Sequence, residues 1–150
     1  MIDPAITVKA VDSKTASMGI GLVAVTAAKA VEAGKTVDEV LSDVQHIIDH
    51  SQVYFVVDTL EFLKKNGRIG LASALVGTLL NIKPILTLVD GQVAPFEKIR
   101  GKSKALKRIR ELAYEFQREH AEQQLGMGLS HADSFEEVSS LAKELTNILQ

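Results

Sequence analysis

At 150 residues the chain is long enough to bury roughly two-thirds of its unfolded surface without covalent staples, which excludes a disulfide-held miniprotein. Its 46% hydrophobic and 24% charged content, with three prolines, fits a globular domain and excludes disordered and collagen-like classes. The absence of cysteine removes disulfides, thiolate metal sites and thiol catalysis, while a formal net charge of -2 conceals a strong asymmetry.

Seven of the 17 basic residues, Lys98, Arg100, Lys102, Lys104, Lys107, Arg108 and Arg110, fall in one segment that contains no acid, leaving ten basic against 19 acidic residues elsewhere. A basic segment on an acidic body favours an anionic partner, or else is a solvated helix face. Met1 to Pro4 lacks the basic start and apolar core of a signal peptide, and runs such as Ile20 to Ala28 stop well short of the roughly 20 residues a bilayer span needs. A cytoplasmic location is expected.

In chain order, Ile6 to Val11 alternates like a short strand. Met18 to Gly34 reads as a glycine-bearing helix with little polar surface, expected to be deeply packed. Thr36 and Glu39 form a capping-box signature before an amphipathic helix through Val37, Val40, Leu41, Val44, Ile47 and Ile48. Val53 to Val57 is a continuous β-branched and aromatic run, expected as a buried strand. Asp58 or Thr59 then caps a short helix that Asn66-Gly67 stops, and Leu71 to Leu80 reads as an apolar helix containing Gly77. Ile85 to Val89, Asp90-Gly91 and Val93 to Ile99 predict a tight hairpin, with Pro95 marking a bulge or an edge strand. A helix from Ser103 buries Leu106, Ile109, Leu112, Ala113 and Phe116. Gly126 to His131 suits one more strand, and Ser134 with Glu137 repeats the capping box before a closing helix through Leu149. The fold class is α+β, a mixed or antiparallel sheet with one hairpin, covered by helices.

Few chemical motifs are present. His46 and His50 are one helical turn apart, but no metalloprotease glutamate lies between them, and His120 and His131 have no evident partner, so no metal site is expected. No nucleophile elbow occurs, GIGLVA lacks a complete dinucleotide fingerprint, and GLASALVG has no Walker lysine. No catalytic residue is assigned. Polar ends do stand beside apolar helices: Ser13, Thr15 and Ser17 before the first, and Arg68 before Ile69 to Ile82. Such an arrangement suits a carboxylate with a long apolar tail, or simple helix capping and core.

The motifs DSKTASMGIG, VYFVVDTLEFLKKNGRIG, LLNIKPILTLVDGQVAPFEKIRGKSKAL and GLSHAD resemble the DegV family over nearly the whole chain. The resemblance implies a bacterial cytosolic protein, not itself an enzyme and without a cofactor, that holds a long-chain fatty acid and presents its carboxylate to an acyl kinase. It implies a tail tunnel lined by Phe62, Ile69, Ala72, Leu75, Val76, Leu79 and Ile82. Arg68 of NGRIG and Arg100 of IRGKSK match family arginines on the carboxylate side or the kinase-docking surface. The chain is about half the usual family length, and it resembles the C-terminal domain (35–150) preceded by the last strand and crossing helix of the other domain (1–34). The family's serine- and threonine-bearing carboxylate clamp has no counterpart in these residues, so a fragment of a fatty-acid-binding protein is expected.

The alternative is a non-enzymatic module that binds an anionic macromolecule through 98–110. Aromatics are only 5% of the chain and none interleaves that run, which leaves nucleic-acid bases no stacking platform. Self-association through apolar patches or the unpaired first strand is also expected.

Overall fold

The computed structural model describes residues 6–77 and 82–146. Helices α1 (Met18–Glu32) and α2 (Val37–His50) pair with one another, followed by strand β1 (Phe55–Val56), helix α3 (Glu61–Lys65) and a 3₁₀ segment, Gly70–Leu75. Strands β2 (Ile82–Val89) and β3 (Gln92–Arg100) lead into helices α4 (Lys102–Glu119) and α5 (Phe135–Leu145). The fold is α+β, with a three-stranded antiparallel sheet in the order β1-β2-β3.

Local chemistry explains several of these elements. Asp90 (φ 48°) and Gly91 (φ 75°) both adopt the positive angles of a two-residue hairpin turn, and Val89 pairs with Gln92 across it. Pro95 sits at a bulge: Leu86 faces Pro95 and Ile85 faces Glu97, so Phe96 is the extra residue. The capping box of α2 is complete, Thr36 N–H donating to Glu39 at 2.7 Å and Glu39 N–H donating to Thr36 Oγ1 at 3.4 Å. Thr59 Oγ1 accepts from Glu61 N–H, and Asn66-Gly67 ends α3 with Gly67 at φ 66° and Arg68 N–H bonded to Leu63 O.

The sheet buries a different layer on each face. On one, Leu86 packs with Leu60, Ala72 and Leu75, joined by the half-buried Phe55, Val57, Leu63, Ile69 and Val93. On the other, Ile85 packs with Ala105 and Leu112 of α4, joined by Tyr54, Val56, Ile99 and Ile109. The period-2 alternation of β1 and β2 produces this division, and in β3 the bulge at Phe96 moves Ile99 to the face opposite Val93.

Other sequence expectations fail for identifiable reasons. Ile6 to Val11 is exposed but is not a strand, because no described segment pairs with it; alternation supplies a face and not a partner. Gly126 to His131 is likewise not a strand. It packs beside the start of α1, where a side chain at Gly128 would meet Met18 Cβ at 2.8 Å and Ser130 shares a 3.0 Å hydrogen bond with Ser17. Helix α1 is not deeply packed: Ala30 is its one buried residue, while Ile20, Val25 and Val31 remain 50%, 51% and 63% exposed, since α2 covers a single side. Val53 to Val57 contributes only two paired residues to an edge. The helix expected over 71–80 is a 3₁₀ segment ending at Leu75, and 78–81 lie outside the described residues, as does Leu149. At α5 the second capping box does not form. Ser134 makes no side-chain cap, its N–H donating to His131 Nδ1 instead, and Glu137 turns to Lys102.

Candidate functional site

The layer formed by α3 and the 3₁₀ segment gathers most of the apolar residues singled out above, in two distinct settings. A 3₁₀ helix repeats every three residues, so Ile69, Ala72 and Leu75 fall in one line. Ala72 and Leu75 are closed into the core against Leu60 and Leu86, and Ile69 packs at their edge. Phe62 (65% exposed) and Val76 (42%) lie outside that core, as does Leu71 at 55%. Leu79 and the side chain of Ile82 fall outside the described residues. Leu71, which the family resemblance did not include among the tail residues, was visible in the sequence only as the first residue of the apolar run 71–80.

Gly70 holds this segment against β3. Its φ is 49°, and a Cβ there would stand 2.6 Å from Val93 O and 3.0 Å from Val93 N, so the two backbones touch where only glycine fits. The same contact fixes the position of Arg68, two residues earlier, near the hairpin end of β3. Arg68 is exposed and its guanidinium donates to Asn66 O at 3.4 Å. Arg100 lies at the opposite end of β3, about 23 Å of strand from Val93 at the usual rise. The fold therefore separates the two arginines, and they do not share one anion.

The basic segment is divided in the same way. Arg108 bonds Glu97 at 3.0 Å and Glu115 at 2.8 Å, tying α4 to β3, and Arg110 bonds Glu144 of α5. Lys102 meets Glu137 at 2.8 Å and Asp58 at 3.6 Å, and Lys107 faces Glu111. Lys98, Arg100 and Lys104 have no acidic partner among the described residues. Most of the apparent polyanion surface is thus already neutralised by the protein's own carboxylates.

These pairings shift the groups in the expected directions. The hydrogen bond from Lys83, reinforced by Lys102, holds the Asp58 carboxyl below its ordinary value, and Arg108 does the same for Glu115. Glu137 raises Lys102, Glu115 and Glu97 raise Arg108, and burial raises the Tyr54 phenol. Lys83 also donates to Asp58 O at 2.7 Å, so β1, β2, α4 and α5 are linked at one end of the sheet by a chain of charges.

The histidines form no metal centre among the described residues. His46 and His50 stack at 4.2 Å, with His50 Nδ1 on His46 O, and His120 stacks on Phe116 in the same manner. No described helix is long and apolar enough to cross a membrane. Two recesses lie away from the apolar layer. One of about 240 Å³ sits between residues 13–15, the end of α2 and the hairpin turn, and another of about 490 Å³ lies between α4 and α5.

The model of a protein family described as "Uncharacterised protein, DegV family" matches residues 1–150. A curated DegV domain-containing protein of Streptomyces coelicolor is 43% identical over 108 residues, covering 72% of this chain and 38% of that relative. A solved structure described as fatty acid binding of a DegV family protein from Thermus thermophilus is similar with a TM-score of 0.66 and 39% identity, over 71% of this chain and 38% of that one. The crystal structure of DegV, a fatty acid binding protein from Bacillus subtilis, matches with a TM-score of 0.74 and 31% identity, over 93% of this chain and 49% of its own. The chain spans half or less of the length of these relatives.

Proposed function

Because this chain belongs to the DegV family, we propose that it supplies the tail-binding side of a fatty-acid site and performs no catalysis of its own. One observation carries the reading: a single face of the sheet bears an apolar layer with Phe62, Leu71 and Val76 left exposed, and the cations Lys98 and Arg100 emerge from that same face at the end of β3. An apolar tail with one anionic end matches that order of surfaces. The fatty acid binding described for the Thermus thermophilus and Bacillus subtilis proteins supports the choice of ligand. Arg100 is assigned to the headgroup. Arg68, exposed at the other end of β3, is assigned to docking of the acyl kinase that receives the carboxylate. Leu79 and Ile82 complete the tail contacts. Residues 1–34 belong with a neighbouring α/β domain and 35–150 form the lipid-binding unit, working in the cytoplasm.

On this reading the tail rests on the residues outside Ala72 and Leu75, which are closed into the core beneath it. Native mass spectrometry of the chain incubated with a long-chain fatty acid tests the proposal. One retained ligand per folded chain is the expected result. A folded chain that stays bare at saturating lipid refutes it. The oligomer mass in the same spectrum reports whether the exposed side of α1 draws two copies together.

A further inference from the structure

The recess of about 240 Å³ between residues 13–15, the end of α2 and the hairpin turn takes no part in the fatty-acid reading. Helices α1 and α2 pair with one another and neither packs broadly on the sheet, so the recess lies at a junction between two parts of the fold, a common place for ligand sites. Its volume is below the roughly 300–1,000 Å³ of drug-sized pockets, which suits one small metabolite rather than a long acyl chain. The walls carry both signs of charge, Lys14 against Asp90 of the turn and Asp49 of α2. Lys14 is fixed by its backbone: φ is 49°, its N–H donates to Asp12 at 3.0 Å, and its Cα lies 3.7 Å from where a Cβ on Gly91 would stand. Such a left-handed lysine is uncommon.

These charges are open to a ligand. The Lys14–Asp90 pair is loose, at 3.5 Å with side chains 57% and 81% exposed, so parting it costs little. Asp49 uses only Oδ1, toward Gln45 at 2.8 Å. Thr15, also in the wall, has its Oγ1 shielded from solvent without a hydrogen-bond partner, a costly state that an acceptor entering the recess would relieve. Val23, Ile48 and Leu88 supply an apolar wall beside the charges. We infer that this recess binds a free aliphatic α-amino acid, its carboxylate on Lys14, its ammonium between Asp49 and Asp90, and its side chain against Val23, Ile48 and Leu88. One ligand class carries an anion, an adjacent cation and a branched apolar tail together, and it uses all three kinds of wall. A rival account is that Lys14 and Asp90 only pin the loop to the hairpin. It requires a loss of stability when either is replaced, with no effect on any ligand.

Titration calorimetry on the full chain compares L-leucine with isopentylamine, which lacks the carboxylate, and with 4-methylpentanoate, which lacks the ammonium. Leucine should bind, and each analogue should bind about tenfold more weakly or worse, because each leaves a charged wall unpaired. Lys14→Gln should weaken leucine about tenfold and change isopentylamine by less than about twofold. Asp90→Asn, which the turn accepts because asparagine tolerates positive φ, should weaken leucine and isopentylamine alike. Circular dichroism melts establish that each variant is folded. A folded chain that takes up no leucine at millimolar concentration overturns the inference, as does either analogue binding as tightly as leucine. Variants that lose stability but keep the affinity for leucine overturn it in favour of the rival account. The fatty-acid reading is untouched by any of these results, since its ligand is tested separately.

Discussion

Replacing Gly70 by alanine tests how the apolar layer is held to the sheet, and the structure sets the size of the effect. The backbone there has φ 49°, a left-handed conformation that costs a residue with a Cβ about 1–2 kcal/mol. The new methyl group would also stand 2.6 Å from Val93 O and 3.0 Å from Val93 N, and neither atom can yield without disturbing β3. The 3₁₀ segment must lift instead, partly exposing Leu75, which is now 4% exposed and worth roughly 2 kcal/mol when fully buried. The total is about 3 kcal/mol. Gly67→Ala is the control, since Gly67 has φ 66° and open space around its would-be Cβ, so it should lose only the conformational part. Urea unfolding followed by circular dichroism gives both values, and hydrogen exchange at the Ala72 and Val76 amides, which bond Ile69 O and Ser73 O, localises the change. If Gly70→Ala is no more destabilising than Gly67→Ala, the close contact with Val93 does not hold the layer and the reasoning fails.

Thr36→Ala removes the Oγ1 that accepts from Glu39 N–H, while the backbone N–H at position 36 keeps its bond to the Glu39 carboxylate, and should cost about 1 kcal/mol, with faster amide exchange in the first turn of α2 and none in β2; exchange spread evenly over the chain would contradict a local cap. Acid should destabilise the sheet end: Asp58 and Glu115 are held below their ordinary values, so their contribution is complete above the ordinary carboxylate values and is lost as the pH falls through the lowered ones. Asp58→Asn should flatten part of this acid limb in a pH series of thermal melts, and an unchanged limb would show that the Lys83 and Lys102 contacts are not coupled to folding.

The most legible parts of the sequence were those in which a few adjacent residues settle the geometry. Asp90-Gly91 closes the hairpin, Pro95 places the bulge, Thr36 with Glu39 starts α2, and Asn66-Gly67 ends α3. Each depends on backbone angles or on bonds within three or four residues. Features that require a distant partner were not legible. Ile6 to Val11 and Gly126 to His131 have strand-like patterns, yet pairing depends on a neighbour that local sequence does not specify. Ser134 and Glu137 matched a capping box, but Lys102 competes for the glutamate from 35 residues away. At the candidate site, a period of three rather than 3.6 decides which apolar residues are closed into the core, and Gly70 against Val93 selects that period through tertiary contact.

The basic segment shows how one run of like charge can serve two ends. Its periodicity changes at Gly101, whose φ of 88° joins β3 to α4. Before that point the period is two, so Lys98 and Arg100 share a face and look onto the apolar layer. Beyond it the helical period takes over, and Lys102, Arg108 and Arg110 reach carboxylates on β3, α4, α5 and the loop after β1. Charges of the second group hold elements together and are already satisfied. Of the helical group Lys104 alone has no acidic partner among the described residues, which is why a strongly basic stretch need not imply a polyanion partner: the sheet's alternation leaves two cations on one face at the end of an apolar surface, the order in which an anionic amphiphile presents its own head and tail.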